Sequence, residues 1–282
     1  MTASSSLLEI EDLEVTYVSR GLRSRSFRAL AGVSLNIRPG ETVGLVGESG
    51  SGKSTLGRAI LGLAPVTAGV IRYRDRDIAH LGSRERRALS NDIQVIFQDP
   101  YSSLSPSLTV GDTLAEPLRA QGMAARDAAA RIAELLDLVG MPSDSVRRLP
   151  REFSGGQRQR VAIARALALE PALIVCDEPV SALDLTTQAR VLDLLKEVQQ
   201  RTGVAYLFVS HDLNVVRVMS HRVSVMYRGE IVEHGPAAQV TTAPAHPYTQ
   251  RLLLASPVAD PRAQAQRRAE FARTRPQTEN AA

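Results

Sequence analysis

The chain has 282 residues, 44% hydrophobic and 23% charged, which gives enough apolar mass for a sizeable core and too much for a disordered chain. Aromatic residues make up only 4% and tryptophan is absent, so the core must be aliphatic. The formal net charge of +4 is carried mainly by arginine, because Lys53 and Lys196 are the only lysines, and it admits nucleic acid, an anionic membrane surface or phosphate as partners. No run approaches the ~20 apolar residues of a membrane helix, and the longest, Ala172 to Cys176 and Val204 to Val209, have strand length. Met1 to Ser6 carry neither a basic segment nor an apolar one, so no secretory signal is expected. A single cysteine, Cys176, excludes an intrachain disulfide and a cysteine-ligated cluster within one chain, and the expected setting is intracellular.

In chain order, Leu7 to Tyr17 alternates apolar positions and predicts a strand. Val33 to Ile37 predicts another, ended by the turn Arg38-Pro39-Gly40, and Thr42 to Val46 a short buried strand. A helix is predicted from Lys53 to Leu63, with strands at Val70 to Tyr73 and Ile93 to Phe97. Leu108 to Gln121 and Ala125 to Val139 have helical spacing without any strand pattern, which predicts a helical subdomain at about 99–156. Helices then follow at Gln157 to Leu169 and Thr187 to Arg201, and strands at Leu173 to Cys176, Ala205 to Val209 and Val223 to Tyr227. Such alternation predicts an α/β fold with a mostly parallel sheet. The expected division is a domain over 1–258 and an Arg/Ala-rich extension over 259–282, partly disordered.

Gly47-Glu48-Ser49-Gly50-Ser51-Gly52-Lys53-Ser54 fits G-x-x-x-x-G-K-[ST] and stands between an apolar strand and a helix, with Thr55 next. Glycines let successive N–H groups aim inward, and the positive end of the helix adds to them, which makes a phosphate cradle. Lys53 would reach the β- and γ-oxygens, and Ser54 would ligate Mg²⁺. The strand Leu173 to Cys176 ends in the carboxylates Asp177 and Glu178, suited to holding Mg²⁺ and to polarising a water. Phe153-Ser154-Gly155-Gly156-Gln157 opens a helix with an N-cap serine and two glycines, a second anion-binding start reinforced by Arg158 and Arg160.

In order and spacing, these segments resemble the ATP-binding-cassette (ABC) ATPases over about residues 7–257. Residues 47–54 are similar to the family's Walker A loop, 173–178 to Walker B, and Ser154-Gly155-Gly156-Gln157 to its signature motif. Ser181-Ala182-Leu183-Asp184 resembles the D-loop, with Asp184 its acid, and Ser210-His211-Asp212 the H-loop, with His211 at the γ-phosphate. Gln98 resembles the Q-loop glutamine, contacting Mg²⁺ or the attacking water, and Tyr17 stands where the family stacks an aromatic on adenine. The resemblance implies a RecA-like P-loop NTPase fold with an inserted helical subdomain and an antiparallel β region near the N-terminus. It implies ATP and Mg²⁺ as ligands, with Glu178, His211 and Gln98 in catalysis. It also implies a second ABC ATPase, because in the family each ATP lies between the phosphate loop of one protomer and the signature helix of another.

Phe97-Gln98-Asp99-Pro100-Tyr101-Ser102-Ser103-Leu104-Ser105-Pro106 and His246-Pro247-Tyr248-Thr249-Gln250-Arg251-Leu252-Leu253 are similar to segments of the oligopeptide, dipeptide and nickel importer ATPases. The second also reads as a proline-started helix packed on the core. That group implies two permease subunits, an extracytoplasmic substrate-binding protein and a peripheral place on the cytoplasmic face of the membrane. Some members carry a C-terminal cysteine cluster; with no cysteine after Cys176, no iron–sulfur cluster is expected here, and Ser51 replaces a cysteine common in the group. Peptide uptake is the leading expectation, with nickel or another small solute as the alternative. A soluble ABC ATPase acting on nucleic acid or ribosomes is the rival of another class. Its contact would be the arginines at 262, 267, 268, 273 and 275, but only Phe271 is there to stack on bases, so no nucleic acid is expected. A third reading, an inert regulatory cassette, is opposed by Lys53, Glu178 and His211.

Overall fold

The computed structural model describes residues 6–18, 25–99 and 104–256. The extension expected at 259–282 and residues 100–103 of the Q-loop stretch lie outside the described residues.

Two sheets make the frame. The first is antiparallel, in the order β2-β1-β4-β5, from β1 (Leu8–Val18), β2 (Ser26–Ile37), β4 (Ala68–Tyr73) and β5 (Arg76–Asp77). The second has the order β10-β9-β3-β8-β7-β6, from β3 (Thr42–Val46), β6 (Ile93–Ile96), β7 (Leu173–Asp177), β8 (Ala205–Ser210), β9 (Arg222–Tyr227) and β10 (Glu230–Pro236). It is parallel from β6 to β9, and β10 closes the edge antiparallel to β9. The helices are α1 (Lys53–Ile60), α2 (Ser83–Leu89), α3 (Val110–Ala120), α4 (Ala125–Leu138), α5 (Gly155–Leu167), α6 (Leu185–Thr202), α7 (Leu213–Met219), α8 (Ala237–Thr242) and α9 (Pro247–Ala255).

The central strands are apolar without interruption because both faces are covered. Along β8, Tyr206 and Phe208 join a core shared with α3 to α7, while Ala205, Leu207 and Val209 join a core shared with α1 and the antiparallel sheet. On β7, Ile174 and Cys176 take the first side, Leu173 and Val175 the second. Between Ile96 and Gly155 the described residues hold α3, α4 and two 3₁₀ turns, with no strand.

Several boundaries differ from the expectation. The first helix stops at Ile60 rather than Leu63, because Gly62 N–H bonds to Ala59 O and Leu63 N–H to Arg58 O, closing a Schellman turn. β2 starts at Ser26, well before Val33; its first residues are exposed and give no apolar alternation. Helix α2 shows no helical period because none of its residues is buried. It is tied down by polar groups instead: Arg86 donates to Ile60 O and Ile78 O, and Glu85 accepts from Gly82 N–H.

Parallel register carries the site. Val46 pairs with Ser210, Asp177 with Val209 and Ile96 with Cys176. The residues that follow β3, β6, β7 and β8 therefore emerge at one carboxyl edge, the place where open α/β sheets bind ligands.

Candidate functional site

At that edge the loop after β3 wraps the start of α1. Alone among the longer helix starts, α1 begins without a side-chain cap and without an acid in its first turn, which leaves its first N–H groups without a side-chain partner, as an anion site requires. Gly47 is required by close approach: a Cβ there would lie 2.2 Å from Met226 O. Lys53 folds back over the loop, with Nζ donating to Gly47 O and Glu48 O, each at 2.8 Å. Burial lowers the Lys53 pKa, opposed by the charges of Glu178, Asp177 and Glu48. A desolvated ammonium at an uncapped helix start favours an anionic neighbour.

Ser54 Oγ donates to Asp177 Oδ1 at 3.0 Å, which joins the loop to the end of β7. Burial raises the Asp177 pKa, and the Ser54 hydrogen bond works against that rise. Glu178 sits at φ +50°, in the left-handed region, with its N–H bonded to Val209 O at 3.0 Å. Such backbone costs about 1–3 kcal/mol and is held only where the surroundings enforce it. Here it turns the carboxylate into the cleft, where Glu178 Oε2 lies 3.1 Å from His211 Nδ1. A carboxylate can only accept, so this contact is a hydrogen bond when His211 Nδ1 carries the proton.

A cleft of about 600 Å³ is lined by Ser49, Gly50, Gly52, Lys53, Ser54 and Thr55 together with Gln98, Glu178 and His211. The structure thus brings together the loop, Glu178, the glutamine and the histidine in one cleft, with Asp177 tied to it through Ser54. Tyr17 does not line this cleft; Phe27 and Ala29 of β2 do. Tyr17 is the direct register partner of Phe27, so the two exposed rings share one face of the sheet. Phe27 was not singled out from the sequence, and its signal is only this pairing across a connection.

Ser154, Gly155, Gly156 and Gln157 stand elsewhere. Ser154 caps α5, its Oγ accepting from Gln157 N–H at 3.3 Å while Gln157 Oε1 accepts from Ser154 N–H at 3.0 Å. Gly156 packs on the start of α6; a Cβ there would meet Thr187 Cγ2 at 2.3 Å. Asp184 caps α6 by accepting from Thr187 N–H at 3.0 Å, and its hydrogen bonds to Thr187 hold its pKa below the ordinary carboxylate value. The signature-like tip and Asp184 therefore form one unit, outside the phosphate cleft.

The ABC transporter family matches residues 30–181, and the oligopeptide/dipeptide transporter C-terminal region matches residues 232–281. The oligopeptide transport ATP-binding protein OppD of Mycobacterium tuberculosis is 49% identical over 263 residues, covering 92% of this chain and 43% of its own length. The glutathione import ATP-binding protein GsiA of Escherichia coli is 53% identical over 239 residues, covering 84% of this chain and 38% of its own length. The chain thus spans about two fifths of the length of these curated relatives. Among solved structures, cbiO1 of Clostridium perfringens, part of the ABC transporter complex cbiONQ, aligns with a TM-score of 0.76 at 28% identity over 84% of this chain and 91% of its own. The ATP-binding cassette MJ0796, a dimer in a post-hydrolysis state with ADP and Pi, aligns with a TM-score of 0.72 at 32% identity over 82% and 98%. With the phosphate loop, the paired carboxylates and the capped glycine helix in these positions, the chain belongs to the ABC transporter family and is an ATP-binding cassette of it.

Proposed function

We propose that this cassette binds and hydrolyses ATP to power uptake of peptides through separate permease subunits. One observation carries the ATPase reading: Lys53, Ser54, Gln98, Glu178 and His211, from four strand ends, line a single cleft at the start of an uncapped helix. The loop and α1 N–H groups grip the phosphates, Lys53 keeps two of its three N–H donors on the Gly47 and Glu48 carbonyls and turns the third to the β- and γ-oxygens, and the exposed pair Tyr17 and Phe27 offers the adenine a stacking face.

Ser54 and Asp177 supply two hard oxygens 3.0 Å apart. That donor set fits Mg²⁺, which is commonly held by one or two protein oxygens with phosphate and water completing its shell. Gln98 lines the same cleft and is the third candidate ligand. Bound there, Mg²⁺ would neutralise charge on the β- and γ-oxygens. Glu178 accepts the proton of the attacking water, and His211, 3.1 Å from that carboxylate, holds it in place beside the γ-phosphate.

Each site is completed by the Ser154 tip of a second cassette, a copy or a paralogue. Support comes from the separation of this tip from the cleft and from the dimeric form of the structural relative. ATP between two chains favours the closed pair by mass action. The peptide class is supported by the matching C-terminal region and by the names of the relatives, an oligopeptide transporter and a glutathione importer. In this reading the pore is formed by the permease subunits, and a binding protein outside chooses the solute; no helix among the described residues is long and apolar enough to cross a membrane. A groove of about 600 Å³ beside Gln98, lined by Phe97, Leu104, Glu116 and Gln121, suits a docking permease and lies where nucleotide state is sensed.

The test is ATP hydrolysis and peptide uptake in vesicles with the permeases and binding protein. Turnover coupled to peptide accumulation is the expected result. Hydrolysis indifferent to the permeases, with association lost on nuclease treatment, would favour the nucleic-acid reading.

A further inference from the structure

The His246-Pro247-Tyr248 stretch has no task in the chemistry above. His246 caps α9, its Nδ1 accepting from Tyr248 N–H at 3.2 Å, and Pro247 starts the helix. Glu233 of β10 fastens the segment, accepting from Ala245 N–H at 2.7 Å and from His246 N–H at 3.1 Å. Tyr248 is thereby driven inward: it is 3% exposed, and its ring stacks on Tyr227 with centroids 4.3 Å apart.

The Tyr248 hydroxyl accepts from Glu48 N–H at 2.9 Å, across 200 residues of sequence. That N–H belongs to the same peptide group as the Gly47 carbonyl, which accepts from Lys53 Nζ at 2.8 Å. One amide therefore links the phosphate-loop lysine to the tyrosine, and a hydrogen bond at one end of an amide strengthens the bond at the other. The peptide cannot rotate without breaking both. Gly229 N–H also donates to Ser51 O at 2.8 Å, so the loop is held from the β9–β10 turn as well.

We infer that Tyr248 is a positioning residue: through the Gly47–Glu48 peptide it sets the phosphate loop and Lys53 for ATP, and so couples docking of the C-terminal region to nucleotide grip. The inference rests on the ATPase reading, and Tyr248 itself acts only through the loop.

The test uses the full chain and Tyr248→Phe, which keeps the ring and its stacking but removes the acceptor. ATP affinity, KM, kcat and the melting temperature of the nucleotide-free chain are measured together, with Tyr227→Phe as control. Kd and KM for ATP should rise about five- to tenfold, corresponding to loss of roughly one hydrogen bond, while kcat stays within about twofold. Tyr227→Phe should leave these values unchanged. Unaltered Kd and KM in Tyr248→Phe, with only the melting temperature lowered, would overturn the inference. Failure of the unsubstituted chain to bind ATP would instead overturn the ATPase reading. Should Tyr248→Phe not fold, amide exchange in the unsubstituted chain decides: ATP must slow exchange over residues 246–250 together with 47–53, and no change over 246–250 refutes the link.

Discussion

The phosphate loop and the tip of α5 are both glycine-rich helix starts, yet they are built in opposite ways. The loop is held by distant groups: Asp177 on Ser54, Gly229 on Ser51 and Tyr248 on Glu48. Its helix start is left uncapped. The α5 tip is held by its own residues, Ser154 and Gln157 capping each other across three positions. A site assembled by the whole fold is ready to grip a ligand alone. A self-sufficient tip, away from that cleft, is ready to be presented to something else. Under the proposed pairing, one chain carries two complementary half-sites.

The largest expected effect separates chemistry from grip. Glu178→Gln should slow phosphate release by about 10²–10⁴-fold, the usual range for loss of a general base, while equilibrium ATP binding stays near that of the unsubstituted chain. Lys53→Ala should weaken ATP binding by about 10- to 100-fold, from the charge-assisted hydrogen bonds it removes, as read by nucleotide titration. Ser154→Ala removes the cap from the presented tip. It should abolish ATP-driven pairing while leaving ATP binding to the separate chain intact, and light scattering reads both species. If copies of this chain pair, mixing inactive Lys53→Ala with inactive Ser154→Ala should restore hydrolysis, because one of the two composite sites is then whole. Gly156→Ala forces a Cβ to within 2.3 Å of Thr187 Cγ2 and should cost about 1–3 kcal/mol in denaturant unfolding.

The smallest effect concerns the edge that seats α9. Burial pushes the Glu233 pKa up, but hydrogen bonds at its carboxylate, those from Ala245 and His246 N–H among them, outweigh this and hold it below its ordinary value of 4.5. A depressed carboxylate contributes stability above its unfolded pKa and loses it as pH falls through the folded one. Below about pH 4.5 the unsubstituted chain should therefore lose stability more steeply than Glu233→Gln, by under about 1 kcal/mol because the group is partly solvated.

How much of this is legible in the sequence depends on distance along the chain. The loop 47–54 and the strand before Asp177 can be read directly, because each is a contiguous segment whose residue types state their own conformation. Thr42 to Val46 was expected as a strand and is one, since a fully buried parallel strand is an unbroken apolar run. Helix α2 was missed because none of its residues is fully buried, and β5 because two residues have no period. Phe27 and the Tyr248–Glu48 bond were missed because each depends on a partner brought near only by the fold.

The most direct measurement is ATP turnover per chain as the protein is diluted over about a hundredfold range at saturating Mg²⁺ and ATP. Composite sites predict that turnover per chain falls with dilution, in step with loss of the paired species. Full turnover that stays constant at every dilution, from solitary chains, would contradict them.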